Sequence, residues 1–261
     1  MTPVSSQAST NCSGQVVVVT GAGTGIGSEI AIRFAEAGAN VVVHYHTSSS
    51  SAQSVVSRIQ ALGREGILLQ ANLTRSEEVD RLFAETVTKL GKVDVLINSA
   101  GIYPHVPLLE ITPEDWHQVL DANLTTVFLC TQAASRRMIT QGSGGVIVSI
   151  ASIEAENPTP GHAHYCAAKA AVVMFTRTAA RELGQYGIRV NAVSPGVVWR
   201  EGIEKAWPDG VSRWLRTVPL GRLGQATDVA DACMFLASPS ARWITGTNLL
   251  VDGGIMTCQV Y

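Results

Sequence analysis

The stretch VVVVTGAGTGIG, residues 16–27, decides the fold of this chain. Four consecutive β-branched residues without polar alternation describe a strand covered on both faces. The segment 25–37 that follows has the 3.6-residue apolar period of a helix. Between them the glycines describe a sharp turn at which the backbone, unobstructed by side chains, approaches a ligand closely. A strand that feeds a helix in this way aims the helix's unpaired N–H groups and the positive end of its dipole at the turn, which suits a pyrophosphate. Gly21, Gly25 and Gly27, with Thr24 and Ile26 beside them, are therefore the first candidate binding residues.

The same rhythm continues outward. Apolar runs at 41–43, 67–69, 95–97, 146–150, 190–193 and 249–251 alternate with periodic segments at 50–62, 76–90, 113–139, 163–186 and 227–237. Seven unbroken apolar runs with helices between them define an α/β fold, a doubly wound, seven-stranded parallel sheet. Thr112-Pro113-Glu114-Asp115 has a cap, a proline at the first helical position and acids in the first turn, and Thr227-Asp228 is a weaker helix start. Only 195–217, rich in Trp, Pro and Gly, departs from the alternation. Residues 15–261 are expected to form one domain. Residues 1–14 are expected to be a disordered tail, lacking the cationic start and apolar core of a signal peptide.

With 46% hydrophobic residues in 261, the chain buries a substantial core. A formal net charge of −2 and the lack of a basic block argue against nucleic acid as a partner. Cys12, Cys130, Cys166, Cys233 and Cys258 are odd in number and scattered, with no metal-binding spacing. That is cysteine usage for a reducing compartment, and a metal site is not expected. No apolar run approaches the roughly 18 residues of a membrane helix, so no membrane partner is expected and the cytoplasm is the expected location.

Tyr165 and Lys169 lie four residues apart in HYCAAKAA, on one face of the helix predicted there. An ammonium about 4 Å from a phenol is worth roughly 4 kcal/mol at an effective dielectric of about 20, enough to draw tyrosine toward working pH. The pair is thus a candidate general acid or base. Chance alone supplies about 0.08 such pairs in a chain of this composition, so the surrounding residues decide its meaning.

Those surroundings are TGAGTGIG, NSAG at 98–101, Asn123, Ser152, Tyr165-x-x-x-Lys169, Pro195-Gly196 and VDGG at 251–254. Together they resemble the short-chain dehydrogenase/reductase family over about residues 15–254. The resemblance implies a single-domain Rossmann-type sheet of order 3-2-1-4-5-6-7, a nicotinamide cofactor and a homotetramer paired through 113–139 and 163–186. Tyr45 stands where the family's NAD-selecting aspartate falls, and His46, Thr47 and Ser48 follow it. Without a carboxylate to repel a 2′-phosphate, NADP(H) is favoured, with NAD(H) the alternative. The resemblance also carries Asn72 and Leu73 to the adenine, and Ala100 and Gly101 to the ribose. Asn98 is carried either to the cofactor or to a tie between strands. Val193, Pro195 and Gly196 are carried to the wall of the nicotinamide pocket, and Val198 to the cofactor.

For catalysis the resemblance implies that Tyr165 donates a proton to the carbonyl oxygen or removes one from the alcohol. Lys169 would bind the nicotinamide ribose and lower the phenol pKa. Ser152 would hold the reacting oxygen, and Asn123 would kink its helix and order a relay water. His162, His164, Glu154 and Glu156 flank these residues and read equally as substrate-pocket or bland structural groups. The implied activity interconverts a small-molecule ketone or aldehyde and an alcohol. A 3-oxoacyl carrier-protein reductase and a sugar or polyol dehydrogenase are alternatives. The rival of another class is a dinucleotide-binding regulator without turnover. The segment 197–217, with Trp199, Trp207 and Trp214, reads either as a substrate lid or as an anchored loop, and Arg200 stands where many relatives carry a threonine.

Overall fold

The computed structural model describes residues 11–258. Seven parallel strands form one sheet in the order β3-β2-β1-β4-β5-β6-β7. They are β1 (Val16–Val19), β2 (Asn40–Tyr45), β3 (Gly66–Gln70), β4 (Val95–Asn98), β5 (Gly145–Ile150), β6 (Ile188–Pro195) and β7 (Asn248–Val251). Each apolar run expected to be a strand is one. The helices are α1 (Gly25–Glu36), α2 (Ser49–Ala61), α3 (Ser76–Leu90), α4 (Pro113–Leu120), α5 (Thr126–Gln141), α6 (Ala163–Leu183), α7 (Ile203–Ala206), α8 (Pro208–Thr217) and α9 (Ala226–Ala237).

The sheet is covered on both sides, which is why its strands carry no polar alternation. One core layer gathers Ile30 and Phe34 of α1, Val55 and Ile59 of α2 and Val229, Cys233 and Leu236 of α9. The other gathers Leu82 and Phe83 of α3, Cys130 and Met138 of α5 and Ala179 and Ala180 of α6. The chain builds β1, β2 and β3 outward and then returns to lay β4 on the other side of β1. This reversal opens a crevice at the C-terminal ends of β1 and β4, where doubly wound sheets bind their ligands.

Three local readings are corrected. Residues 1–10 lie outside the described residues, but the last residues of the expected tail are packed: Cys12 is buried and its N–H donates to Ala37 O at 2.7 Å. The second cap falls at Gln225 and not at Thr227, because the Asp228 carboxylate reaches back to the Gln225 N–H at 2.7 Å. The segment 113–139 is two helices joined by a π-helical turn, Asp121–Thr125. The Thr112 cap is present as expected, with Thr112 Oγ1 accepting from the Asp115 N–H at 3.1 Å.

Candidate active site

The glycine turn runs from β1 into α1 at the crevice. Gly21 has φ +64°, and a Cβ there would lie 2.8 Å from Ala100 Cα. A Cβ on Gly27 would collide with Gly21 O, so glycine lets α1 begin directly on the turn. Thr24 occupies the N-cap of α1 without a side-chain capping bond, and the first turn carries no acid. Gly25, at φ +56°, faces open space. Uncapped N–H groups that open onto space, with no competing carboxylate, fit a pyrophosphate. Ile26 is half-buried against the core of that layer. Thr20 Oγ1 accepts from the N–H groups of Ser99 (2.9 Å) and Ala100 (3.1 Å), tying the ends of β1 and β4.

His44 was missed by sequence reasoning, although it is the one polar residue inside the run VVVHY. It is buried, its Nδ1 accepts from the Gly21 N–H at 3.1 Å and its Nε2–H donates to Ala71 O at 3.0 Å. Burial lowers its pKa to about 4, so the neutral ring that both bonds require persists at ordinary pH. His44 thereby links the glycine turn to the segment after β3.

Tyr45 ends β2, and His46, Thr47 and Ser48 are exposed beyond it, with Ser48 capping α2. A cavity of about 380 Å³ there is lined by His46, Gln70, Asn72, Arg75, Glu78 and Arg81. It lies beyond the C-terminal ends of β2 and β3. Asn72 Oδ1 accepts from the Thr74 N–H (3.1 Å) and hydroxyl (2.8 Å), so only its Nδ2 remains for a base. Leu73 and Asn98 are engaged within the protein. The Leu73 side chain is buried in the core, which leaves only backbone at that position for a ligand. Asn98 donates from Nδ2 to Thr131 Oγ1 and Ser149 Oγ, both at 3.2 Å, so its amide braces β4 against α5 and β5.

The ends of β5 and α6 bring Ser152, Tyr165 and Lys169 together. Ser152 Oγ accepts from the Glu154 N–H at 3.1 Å and faces the phenol, whose charged form it favours. Lys169 is buried, its Nζ lies 5.5 Å from the Tyr165 ring centroid and donates to Ile150 O at 2.8 Å. The expected lowering of the phenol pKa is reversed: burial pushes it well above its usual value, and the neighbouring Ser152 hydroxyl opposes that only in part. Burial likewise draws the Lys169 ammonium down to about 8. Both follow from desolvation, which disfavours whichever form is charged.

Asn123 sits in the π-helical turn that breaks 113–139, as the kink expectation required. Its Nδ2 donates to Ile102 O at 2.8 Å and Val119 O at 2.9 Å, while its buried Oδ1 has no partner. Gly101 is glycine because a Cβ would collide with that Oδ1. His164 is buried, with Nδ1 accepting from the Tyr165 N–H at 3.0 Å.

Pro195 ends β6 and Gly196 follows it, where a Cβ would lie 2.8 Å from the Trp214 indole. Val198 bridges to Gly224, and Trp214 packs with Ile203, Val211 and Leu223 in a small apolar cluster. Trp199, Arg200 and Trp207 are exposed.

A sheet of this order, with a glycine turn at its reversal and a serine, tyrosine and lysine converging beside it, defines an oxidoreductase of the short-chain dehydrogenase/reductase family, and the chain belongs to that family. Residues 21–256 match a family model described as enoyl-(acyl carrier protein) reductase. The chain is 45% identical to a 3-oxoacyl-[acyl-carrier-protein] reductase of Synechocystis sp., covering 93% of this chain and 97% of that one. It is 42% identical to the 3-oxoacyl-[acyl-carrier-protein] reductase FabG of Staphylococcus epidermidis, covering 91% and 97%. A 7α-hydroxysteroid dehydrogenase, solved with NADH and 7-oxo glycochenodeoxycholic acid, superposes with a TM-score of 0.90 at 36% identity, covering 95% and 96%.

Proposed function

We propose that this chain is an NADP(H)-dependent carbonyl reductase, acting in reverse as an alcohol dehydrogenase, with Tyr165 as the proton donor and acceptor. The observation that carries the reading is the convergence of Ser152, Tyr165 and Lys169 at the mouth of the crevice, with Ser152 and Lys169 buried and Tyr165 half-buried. The glycine turn and the start of α1 would hold the pyrophosphate, Asn72 the adenine end and Lys169 the nicotinamide ribose. Residues 45–48, with no carboxylate among them, and the cavity that His46 shares with Arg75 and Arg81 favour a 2′-phosphate. The cofactor, when bound, supplies or accepts the hydride.

The residues of the chain manage the proton. A phenol whose pKa is raised by burial stays protonated at neutral pH, which suits donation to a carbonyl oxygen. Ser152 accepts from the Glu154 N–H, so its own hydrogen is free to turn toward that oxygen. Two donors aimed at a single oxygen favour reduction of a C=O bond over the C=C bond named in the family model's description. The unpaired Asn123 Oδ1, beside Gly101, suits an ordered water that leads protons past Lys169.

The named relatives favour a second reading, reduction of a 3-oxoacyl thioester on a carrier protein. A homotetramer is proposed as the assembly and the cytoplasm as its location. Among the described residues no helix is long and apolar enough to cross a membrane. Cofactor oxidation, followed at the nicotinamide absorbance with ketones, aldehydes, sugars and acyl thioesters, tests the function. Tyr165→Phe is expected to lower kcat by about 10²–10⁴-fold while cofactor Kd stays nearly constant. A variant that kept more than about a tenth of wild-type kcat when chemistry limits the rate would remove Tyr165 from the mechanism.

A further inference from the structure

Glu154 and His162 stand beside the reacting tyrosine, and the chemistry above does not use their side chains. His162 Nδ1 and Glu154 Oε2 are 2.9 Å apart, with side chains 15% and 18% exposed. The His162 ring meets the Tyr165 ring edge-on at 5.9 Å between centroids, and the His105 ring meets His162 in the same way at 5.6 Å. Tyr103 packs on Tyr165 at 6.2 Å. The segments that carry these rings are fixed to one another, because the Val106 N–H donates to Gly161 O at 2.8 Å and a Cβ on Gly161 would collide with the His105 ring. Two imidazoles, a phenol and a carboxylate thus form one polar wall next to the phenol of Tyr165.

Part of this wall is unsatisfied. Glu154 Oε2 is taken by His162, with Cys166 Sγ also 3.5 Å away. Among the described residues no hydrogen bond engages Glu154 Oε1 or His162 Nε2, and neither atom is sealed from solvent. Glu156 plays no such part, since its Oε1 accepts from Asn248 Nδ2 at 3.2 Å at the edge of the sheet. A substrate that pressed an alkyl group against Glu154 would strip water from Oε1 and return nothing, whereas a hydroxyl would replace that water with a charge-assisted hydrogen bond. A substrate carboxylate at the same place would meet a like charge.

We propose that Glu154 and His162 form a subsite for a substrate hydroxyl close to the reacting carbon, so that the carbonyl reduced is that of a hydroxyketone, including the keto form of a sugar. This rests on the carbonyl reductase reading and narrows it. The Glu154 carboxylate accepts from the hydroxyl, and His162 holds the carboxylate in place. The Glu154 N–H that bonds Ser152 is backbone, so a change of the Glu154 side chain leaves that contact in the chain.

The test compares kcat/KM for hydroxyacetone and butanone, two ketones of similar size, in wild type and in Glu154→Ala, Glu154→Gln and His162→Ala, with thermal unfolding as the control for folding. Wild type is expected to favour the hydroxyketone by about tenfold or more, the effect of one hydrogen bond to a charged group. Glu154→Ala is expected to cut that ratio by at least about fivefold. Glu154→Gln, which keeps the shape of the side chain, is expected to fall between, and it decides the matter if the Ala variant does not fold. A ratio unchanged in folded Glu154→Gln and His162→Ala overturns the subsite. So does a wild type that reduces acyl thioesters or plain ketones but not hydroxyketones, and in that case the reductase reading stands. Failure to reduce any carbonyl removes the reductase reading and the subsite with it.

Discussion

Lys169→Met is expected to make the cofactor-free protein more stable near neutral pH while abolishing its activity. The Lys169 ammonium is 5% exposed and donates to Ile150 O at 2.8 Å. Burial lowers its pKa from 10.5 to about 8. The unfolded lysine therefore holds its proton more tightly than the folded one, which costs the native state about 3 kcal/mol below the folded pKa. Methionine fills much of the same space without the charge. The Ile150 carbonyl loses its donor, at about 1–2 kcal/mol, so the net gain is about 1–2 kcal/mol. For a chain of this length that corresponds to a rise in Tm of roughly 2–8 °C. The sign depends on pH. Between about 8 and 10.5 the unfolded chain binds more protons than the folded one, so wild-type stability climbs through this window and the variant's does not. The variant's advantage is full below pH 8, shrinks through the window and reverses above it, where only the lost hydrogen bond remains. Urea unfolding of both proteins at equal concentration, near neutral pH and near pH 10.5, measures this difference directly. A variant less stable than wild type at neutral pH, or a difference that does not move with pH, would refute the reasoning. A variant that is more stable and inactive would show that the buried charge is retained for catalysis at the expense of stability.

Tyr45→Asp is expected to move the kcat/KM preference from NADPH toward NADH by placing a carboxylate against the 2′-phosphate, and a wild type that prefers NADH would refute the cofactor assignment. Gly101→Ala is expected to lower stability by about 1–3 kcal/mol, read by thermal unfolding, because the new methyl meets Asn123 Oδ1 and that amide is held by Ile102 O and Val119 O. Trp214→Ala, which empties the contact above Gly196 and the cluster with Ile203, Val211 and Leu223, is expected to cost about 3–5 kcal/mol and to reduce kcat/KM uniformly across ketones. A change confined to the relative rates of bulky and small ketones would instead make the segment a lid. Light scattering at micromolar concentration is expected to find a homotetramer paired through α5 and α6, where Phe128 and Met174 are exposed in the single chain; a monomer would refute this.

The strands, the glycine turn and most helix limits were legible in the sequence because they are local. A parallel strand buried on both faces must be apolar throughout, a turn at positive φ pressed against Ala100 must be glycine, and Thr112 caps through a residue three positions away. The motif residues of the family were legible too, and Ser152, Tyr165 and Lys169 do converge. What only the tertiary structure decided depends on which distant segments meet and on how much water remains between them. His44 links Gly21 to Ala71, Asn98 braces Thr131 and Ser149, and Leu73 turns inward, all through partners that no periodicity reveals. The opposite direction of the Tyr165 pKa has the same origin. Spacing along the helix placed an ammonium near the phenol, but the fold buried Lys169 and half-buried Tyr165, and desolvation outweighed the attraction that the spacing had suggested.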